Sequence, residues 1–285
     1  MAATITQDQW LAVRSSLADA GERFASLVET APDPSTLATD RWTIAETAAH
    51  TASVAWMYAS VLTTADARFP MPELKEQVDR TSVDTVAHLN VAVMEGYYTE
   101  RDQHAIAERL RSDLAVVLKQ CEQLDPAKPM RWIGSANVPL AGMLAHLLNE
   151  ILVHGLDIAK AMGTTWAIDS AQTAHFFEFF VMNIAGADAG HLLDNDEPPS
   201  DRRIAVEFRS KYTTAVTLVL QHGQLSREEP GGPTDVKISF DPTTLDLMMF
   251  GRVSQASSVL SGKVKVWGRR PWLLPVFLKT VRMPS

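Results

Sequence analysis

The apolar periodicity of this chain changes once, near residue 168, and that change constrains its architecture more than any single motif. Before it, apolar residues recur every three to four positions, the mark of helices with one buried face. Trp10, Val13, Leu17 and Phe24 outline such a face on a first helix, expected from Thr4 to Glu29 and ended by Pro32 and Pro34. A second begins at Thr43, where Thr43 and Glu46 have the spacing of a capping box. Val83 to Leu124 reads as one long helix or as two broken near Gly96. Asn137 and Pro139 lead into another, which ends at Lys160 and Gly163. Ala171 to Leu192 continues as helix, and Asp194 to Ser200 is an acidic loop with prolines. The period then becomes two, in Ile204/Val206/Phe208, Val216/Leu218/Leu220 and Val236/Ile238/Phe240, with a turn at Glu229 to Pro233. Asp241 and Pro242 open a short helix closed by Gly251, and Lys263 to Trp267 is a fourth strand. Pro271 to Val281 is amphipathic, although Pro275 argues against a straight helix. These patterns predict an all-α four-helix bundle over residues 1–168, followed by a smaller α+β domain with an antiparallel sheet over residues 169–285.

Composition narrows the partners. A net charge of −8 argues against a general nucleic-acid binder, which would present a basic face. No segment approaches ~18 uninterrupted apolar residues, so no membrane-spanning helix is expected. The first ten residues carry no basic stretch followed by an apolar one, so no signal peptide is expected. The single Cys121 excludes a disulfide framework within the chain and fits a reducing cytoplasm. The expectation is a cytoplasmic protein acting on small molecules, away from membranes and nucleic acid, with its oligomeric state left open.

The helix expected from about Val138 to Met162 carries the chemistry. Leu144, Leu147, Leu148, Ile151, Gly155 and Ile158 form one apolar stripe, and His146, Glu150, His154 and Asp157 lie along the adjoining face. Residues at those spacings are neighbours on a helix, so an imidazole and a carboxylate on adjacent turns can share one divalent metal. Gly155 costs about 1 kcal/mol relative to Ala in a helix interior. Either another backbone approaches there or the glycine is simply tolerated. Spacing alone is weak, because the chain has three Glu-x-x-x-His pairs: Glu46/His50, Glu100/His104 and Glu150/His154. What singles out the third is His50, which shares a helix face with Val54, Met57 and Val61. It could be a core histidine with a satisfied hydrogen bond. That is the commoner role of a lone histidine on an apolar face. Yet a bundle brings interior faces together, and an inward His50 can meet Glu150 and His154 to give three protein ligands with an open fourth position, the form of a catalytic zinc site. His146 could be a further ligand or a donor that orients Glu150, and Asp157 could fix the His154 tautomer or merely solvate the helix. His88, His104, His175, His191 and His222 read as structural or surface residues. Cys121 reads as a packed small side chain, and Gly231-Gly232 as a turn.

Two segments resemble a known family. Arg41-Trp42-Thr43-Ile44-Ala45-Glu46-Thr47-Ala48-Ala49-His50 and Glu150-Ile151-Leu152-Val153-His154-Gly155-Leu156-Asp157-Ile158-Ala159 are similar to the two motifs of the DinB-like, or mycothiol-dependent maleylpyruvate isomerase, metal-binding domain. The likeness covers about the first 165 residues. It implies a four-helix bundle with His50, Glu150 and His154 as ligands of a divalent metal, usually zinc. It also implies mycothiol as cosubstrate and an electrophilic small molecule that is isomerised or conjugated. Asp246 to Arg252 and Leu260 to Gly268 resemble the α+β domain that follows the bundle in this family, itself similar to sterol-carrier folds. That likeness implies an active-site arginine, here Arg252, able to clamp a substrate carboxylate. Two other readings stand beside it. One is a carrier with Met248, Met249, Phe250, Trp267, Trp272 and Phe277 around a lipid or other apolar ligand, and the other is a metal-holding bundle without turnover.

Overall fold

The computed structural model describes residues 5–64, 68–185, 189–194 and 201–282. Thr6 and Thr43 each accept the third amide of the helix they precede, while Gln9 and Glu46 bond back to the cap's own N–H. These boxes set the starts of α1 (Gln7–Glu29) and α2 (Ile44–Thr63). Two shorter helices follow, α3 (Lys75–Arg80) and α4 (Val86–Gly96). Next come α5 (Gln103–Gln120), capped by Asp102, and α6 (Leu140–Ala161). Of the two readings of Val83 to Leu124, the break after Gly96 is the one realised. The long helices α1, α2, α5 and α6 pack together, and α6 meets both α1 and α2. Leu17, Phe24, Tyr58, Leu110, Leu144 and Leu148 are buried at their centre.

A small antiparallel hairpin, β1 (Pro129–Arg131) with β2 (Asn137–Pro139), leads into α6. Three-residue strands leave too little periodicity to be read from sequence.

The helix expected to reach Leu192 is interrupted. It comprises α7 (Ser170–His175), a π-helical turn over Phe176–Val181 and α8 (Met182–Ile184). Phe176, Phe179 and Phe180 enter the bundle core, whereas Phe177 enters the core under the sheet. One aromatic run thereby serves both halves of the molecule. The expected acidic loop lies outside the described residues beyond Asp194.

The sheet has five strands in the order β5-β4-β3-β6-β7: β3 (Ile204–Arg209), β4 (Val216–Gln221), β5 (Gln224–Glu228), β6 (Val236–Phe240) and β7 (Val264–Trp267). Three of the pairings are antiparallel, but β3 and β6 run parallel, with Val206 opposite Val236. This corrects the expectation of a wholly antiparallel sheet. Two successive hairpins leave β5 pointing the same way as β3, and the following connection returns the chain to β3's free edge in that same direction. One face of the sheet is covered by Phe177, by α9 (Pro242–Met249) and, after a 3₁₀ turn at Pro271–Leu273, by α11 (Leu274–Thr280). Between them lies α10 (Gln255–Leu260). Pro275 falls in the first turn of α11, where its missing N–H breaks no helix bond, so the expected interruption does not occur. Among the described residues no helix is long and apolar enough to cross a membrane.

Candidate metal centre

Helix α6 projects Glu150 and His154 from adjacent turns, and α2 packs against it with His50 turned to the same point. His50 Nε2 lies 3.1 Å from Glu150 Oε2, and His154 Nε2 lies 3.4 Å from the same oxygen. One ligand atom from each of the three falls within 4.8 Å of the others, a convergence no other such group achieves among the described residues. The indole of Trp42 lies beside both imidazoles, 4.8 Å from His50 and 6.4 Å from His154 between ring centres.

The arrangement carries its own argument for a cation. Asp157 Oδ2 stands 3.1 Å from His154 Nδ1, so that nitrogen donates and Nε2 turns its lone pair toward the Glu150 carboxylate. Two acceptors that face each other in a buried site need a proton or a metal ion between them. Without metal, burial pulls the His154 pKa down, but hydrogen bonds to Asp157 and Glu150 outweigh it and push it up to about 9. Burial prevails at His50, whose pKa is lowered. Burial also acts to raise Glu150, yet bonds from His154 and His50 hold its carboxyl well below the usual range. Two imidazole nitrogens and one carboxylate oxygen form a donor set that suits zinc and other first-row divalent ions.

His146 occupies the other side of the carboxylate. Its Nε2 is 3.4 Å from Glu150 Oε1, and its Nδ1 is 3.0 Å from the Tyr58 hydroxyl. Trp132 Nε1–H donates to the Tyr58 oxygen at 2.7 Å, and burial keeps the phenol protonated, so Tyr58 donates to His146 Nδ1 and the Nε2 side of the ring is left facing Glu150. His146 is not among the three residues whose ligand atoms converge. Tyr58 and Trp132 were not singled out from sequence. Trp132 precedes a tight turn with no periodic signal, and Tyr58 is one apolar residue among many on α2.

Arg252 reaches the site from the second half of the chain. Its Nε and Nη2 donate to Asp157 Oδ1 and Oδ2 at 3.1 and 2.7 Å, and Nη1 donates to the Phe250 carbonyl at 2.5 Å. Burial opposes ionisation of Asp157, but His154 and Arg252 outweigh it and hold the carboxyl low. The fork expected to clamp a substrate is therefore already engaged by a protein carboxylate, and Arg252 braces His154 through Asp157. Nearby, Asn149 meets Asp246 of α9, its amide nitrogen turned to 3.2 Å from both carboxyl oxygens, and burial raises the Asp246 pKa well above its ordinary value.

The close approach foreseen at Gly155 is real, but the neighbour is a side chain rather than backbone. A Cβ there would fall 2.4 Å from the Trp166 indole, which is fixed by a 2.9 Å bond from its Nε1 to the Leu152 carbonyl.

A cavity of about 780 Å³ is lined by His50, Glu150 and His154 and by residues of both the bundle and the sheet domain, Arg252 among them. Of the other Glu-x-x-x-His pairs, Glu46 is held by Thr43, and Glu100 accepts the amides of Arg101 and Asp102. His175 stacks on Phe179, His191 pairs with Asp194 and His222 with Asp201, while His88 and His104 are exposed. Cys121 is buried, which pushes its thiol up to about 12. Of the residues considered for a lipid pocket, Phe277 is core, Trp267 and Trp272 are exposed, and Phe250 alone lines the cavity.

A family model, the mycothiol maleylpyruvate isomerase N-terminal domain, matches residues 13–159. Among solved structures, the crystal structure of the mycothiol-dependent maleylpyruvate isomerase is similar at 12% identity and a TM-score of 0.47, covering 91% of this chain and 92% of that one. A point mutant of that enzyme matches at 13% identity and a TM-score of 0.48, with the same coverage. No curated protein matches in sequence.

Proposed function

The chain belongs to the mycothiol maleylpyruvate isomerase N-terminal domain family, and from that membership we propose that it is a metal-dependent enzyme which activates a low-molecular-weight thiol, mycothiol, against a small electrophile. The observation that carries the reading is the convergence of His50, Glu150 and His154 at the wall of a cavity large enough for a thiol and a second substrate. In this reading the three residues hold a divalent metal, zinc by the donor set. Bound there, the metal supplies the acidity that makes a thiol a thiolate at neutral pH, where a free thiol with a pKa near 8.5 is mostly protonated. His146 and Asp157 orient two of the ligands, and Arg252 keeps Asp157 ionised. Trp42 shields the imidazoles on one side.

The reaction is conjugate addition. A C–S bond forms at the electrophilic carbon while the C=C π pair moves toward the conjugated carbonyl, and the thiol proton ends on the neighbouring carbon. Release at this point is transfer. Rotation about the new single bond followed by loss of the thiol is isomerisation. The metal-bearing part corresponds to residues 1–168, and residues 169–285, which we class as the sterol-carrier-like part, close the cavity and contribute Arg252. The test is thiol consumption or isomer formation by the zinc-loaded protein with mycothiol and a panel of electrophiles that includes maleylpyruvate. Turnover lost in His154→Ala is the expected result, and no turnover with any electrophile would overturn the reading.

A further inference from the structure

The cavity has two unlike ends. Its polar end holds the three ligands and a rim on which Arg41 and Lys160 are exposed cations without an ion-pair partner among the described residues. The arm away from the ligands is the α4 side of the wall, Val86, Leu89 and Val93, since α4 packs on α2 near Trp56 and Met57, about two turns beyond His50. Ile184, Leu192 and Leu225 add further apolar lining. The other two cations of the lining are already paired: Arg252 with Asp157 and Arg282 with Asp84. Ser82 and Asn90 add only uncharged polar groups to the arm. A carboxylate placed there would lose water and gain no counter-charge, whereas an alkyl or aryl group would shed its hydration favourably.

We propose that the electrophile of this site carries a long, uncharged apolar body which lies in the α4 arm and brings its reactive carbon to the metal end. The substrate class is an α,β-unsaturated carbonyl compound with a hydrophobic tail, in place of a small dicarboxylate. This rests on the thiol reading above for its chemistry, and the addition step is the one already given. The polar thiol belongs at the rim, where Arg41, Lys160 and the ligands lie.

The experiment uses the zinc-loaded full chain with mycothiol and compares trans-2-nonenal, acrolein and maleylpyruvate, each corrected for its uncatalysed rate. Binding of nonanal, which has no conjugated double bond, is followed separately by tryptophan fluorescence. Ala87→Phe and Asn90→Phe each place a ring in the arm from α4, away from the ligands. The expected result is a kcat/KM for nonenal about tenfold or more above that for acrolein, lost in both variants, while acrolein turnover stays within about twofold. Equal preference in the wild type, maleylpyruvate as the best substrate, or equal losses for both enals would overturn the proposal. If no electrophile consumes thiol, the thiol reading falls and nonanal decides the arm by itself. Saturable binding abolished in both variants upholds the arm, and no binding overturns it.

Discussion

Arg252 and Asp157 stand 95 positions apart in the chain and meet through two hydrogen bonds of 3.1 and 2.7 Å, tying the sheet domain to the helix that carries Glu150 and His154. The pair is mostly buried, with 21% of the arginine side chain and 7% of the aspartate exposed. Arg252→Ala leaves Asp157 without its guanidinium partner. A fully buried broken pair costs about 3–5 kcal/mol, and the partial exposure of Arg252 lowers the expectation to about 2–4 kcal/mol. Urea unfolding at neutral pH measures it. A change below about 0.5 kcal/mol would show that the contact is not a structural tie.

His175 predicts a pH dependence of stability that is independent of His50, Glu150 and His154. Burial lowers its pKa from 6.5 to about 4 while its ring stacks on Phe179. Below pH 6.5 the unfolded chain takes up a proton that the folded chain refuses until about pH 4, so this group's contribution to stability falls as pH drops through that window. The full difference is about 3 kcal/mol by linkage. His175→Phe keeps the stack and removes the titration, so the wild-type-minus-variant stability should decline between pH 6.5 and 4. Parallel pH profiles for the two proteins would contradict the assignment.

Tyr58→Phe removes the hydroxyl that links Trp132 to His146 and leaves the ring in place. His146 then loses the partner that sets its tautomer, and Glu150 is less firmly oriented. Zinc affinity by chelator competition should fall about 10- to 100-fold, the usual effect of losing an outer-sphere partner. An unchanged affinity would mean that His146 does not orient the carboxylate.

Gly155→Ala sets two effects against each other. Helix propensity favours Ala by about 1 kcal/mol, but the new Cβ would lie 2.4 Å from the Trp166 ring. Overpacking of this kind costs about 1–3 kcal/mol, so net destabilisation is expected. Adding Trp166→Leu should recover part of the loss, and purely additive effects in the double mutant would argue against direct contact.

What could be read from sequence was what is local. Thr43/Glu46 and Asp241/Pro242 announce helix starts because their partners lie within four residues. Glu150 and His154 are one turn apart, and their meeting with His50 became legible only when two short motifs were taken together. The Arg252–Asp157 tie was not legible, since a contact between domains leaves no periodicity; the resemblance pointed to Arg252 but assigned it to the substrate. Strand β5 escaped because Gln224–Glu228 is an exposed edge with Leu225 as its one apolar residue. The parallel β3–β6 pair depends on a chain return that alternation cannot show. The π-helical turn was hidden because Phe176, Phe177, Phe179 and Phe180 surround Glu178 in the chain and leave no single apolar face to read.

The central claim is that His50, Glu150 and His154 together grip one divalent ion. Metal content after zinc loading and exhaustive dialysis tests it most directly, measured on the wild type and on His50→Ala, the ligand contributed by a different helix. The account predicts about one zinc per wild-type chain and a negligible amount in the variant. Equal zinc in the two proteins, or none in either, would contradict it.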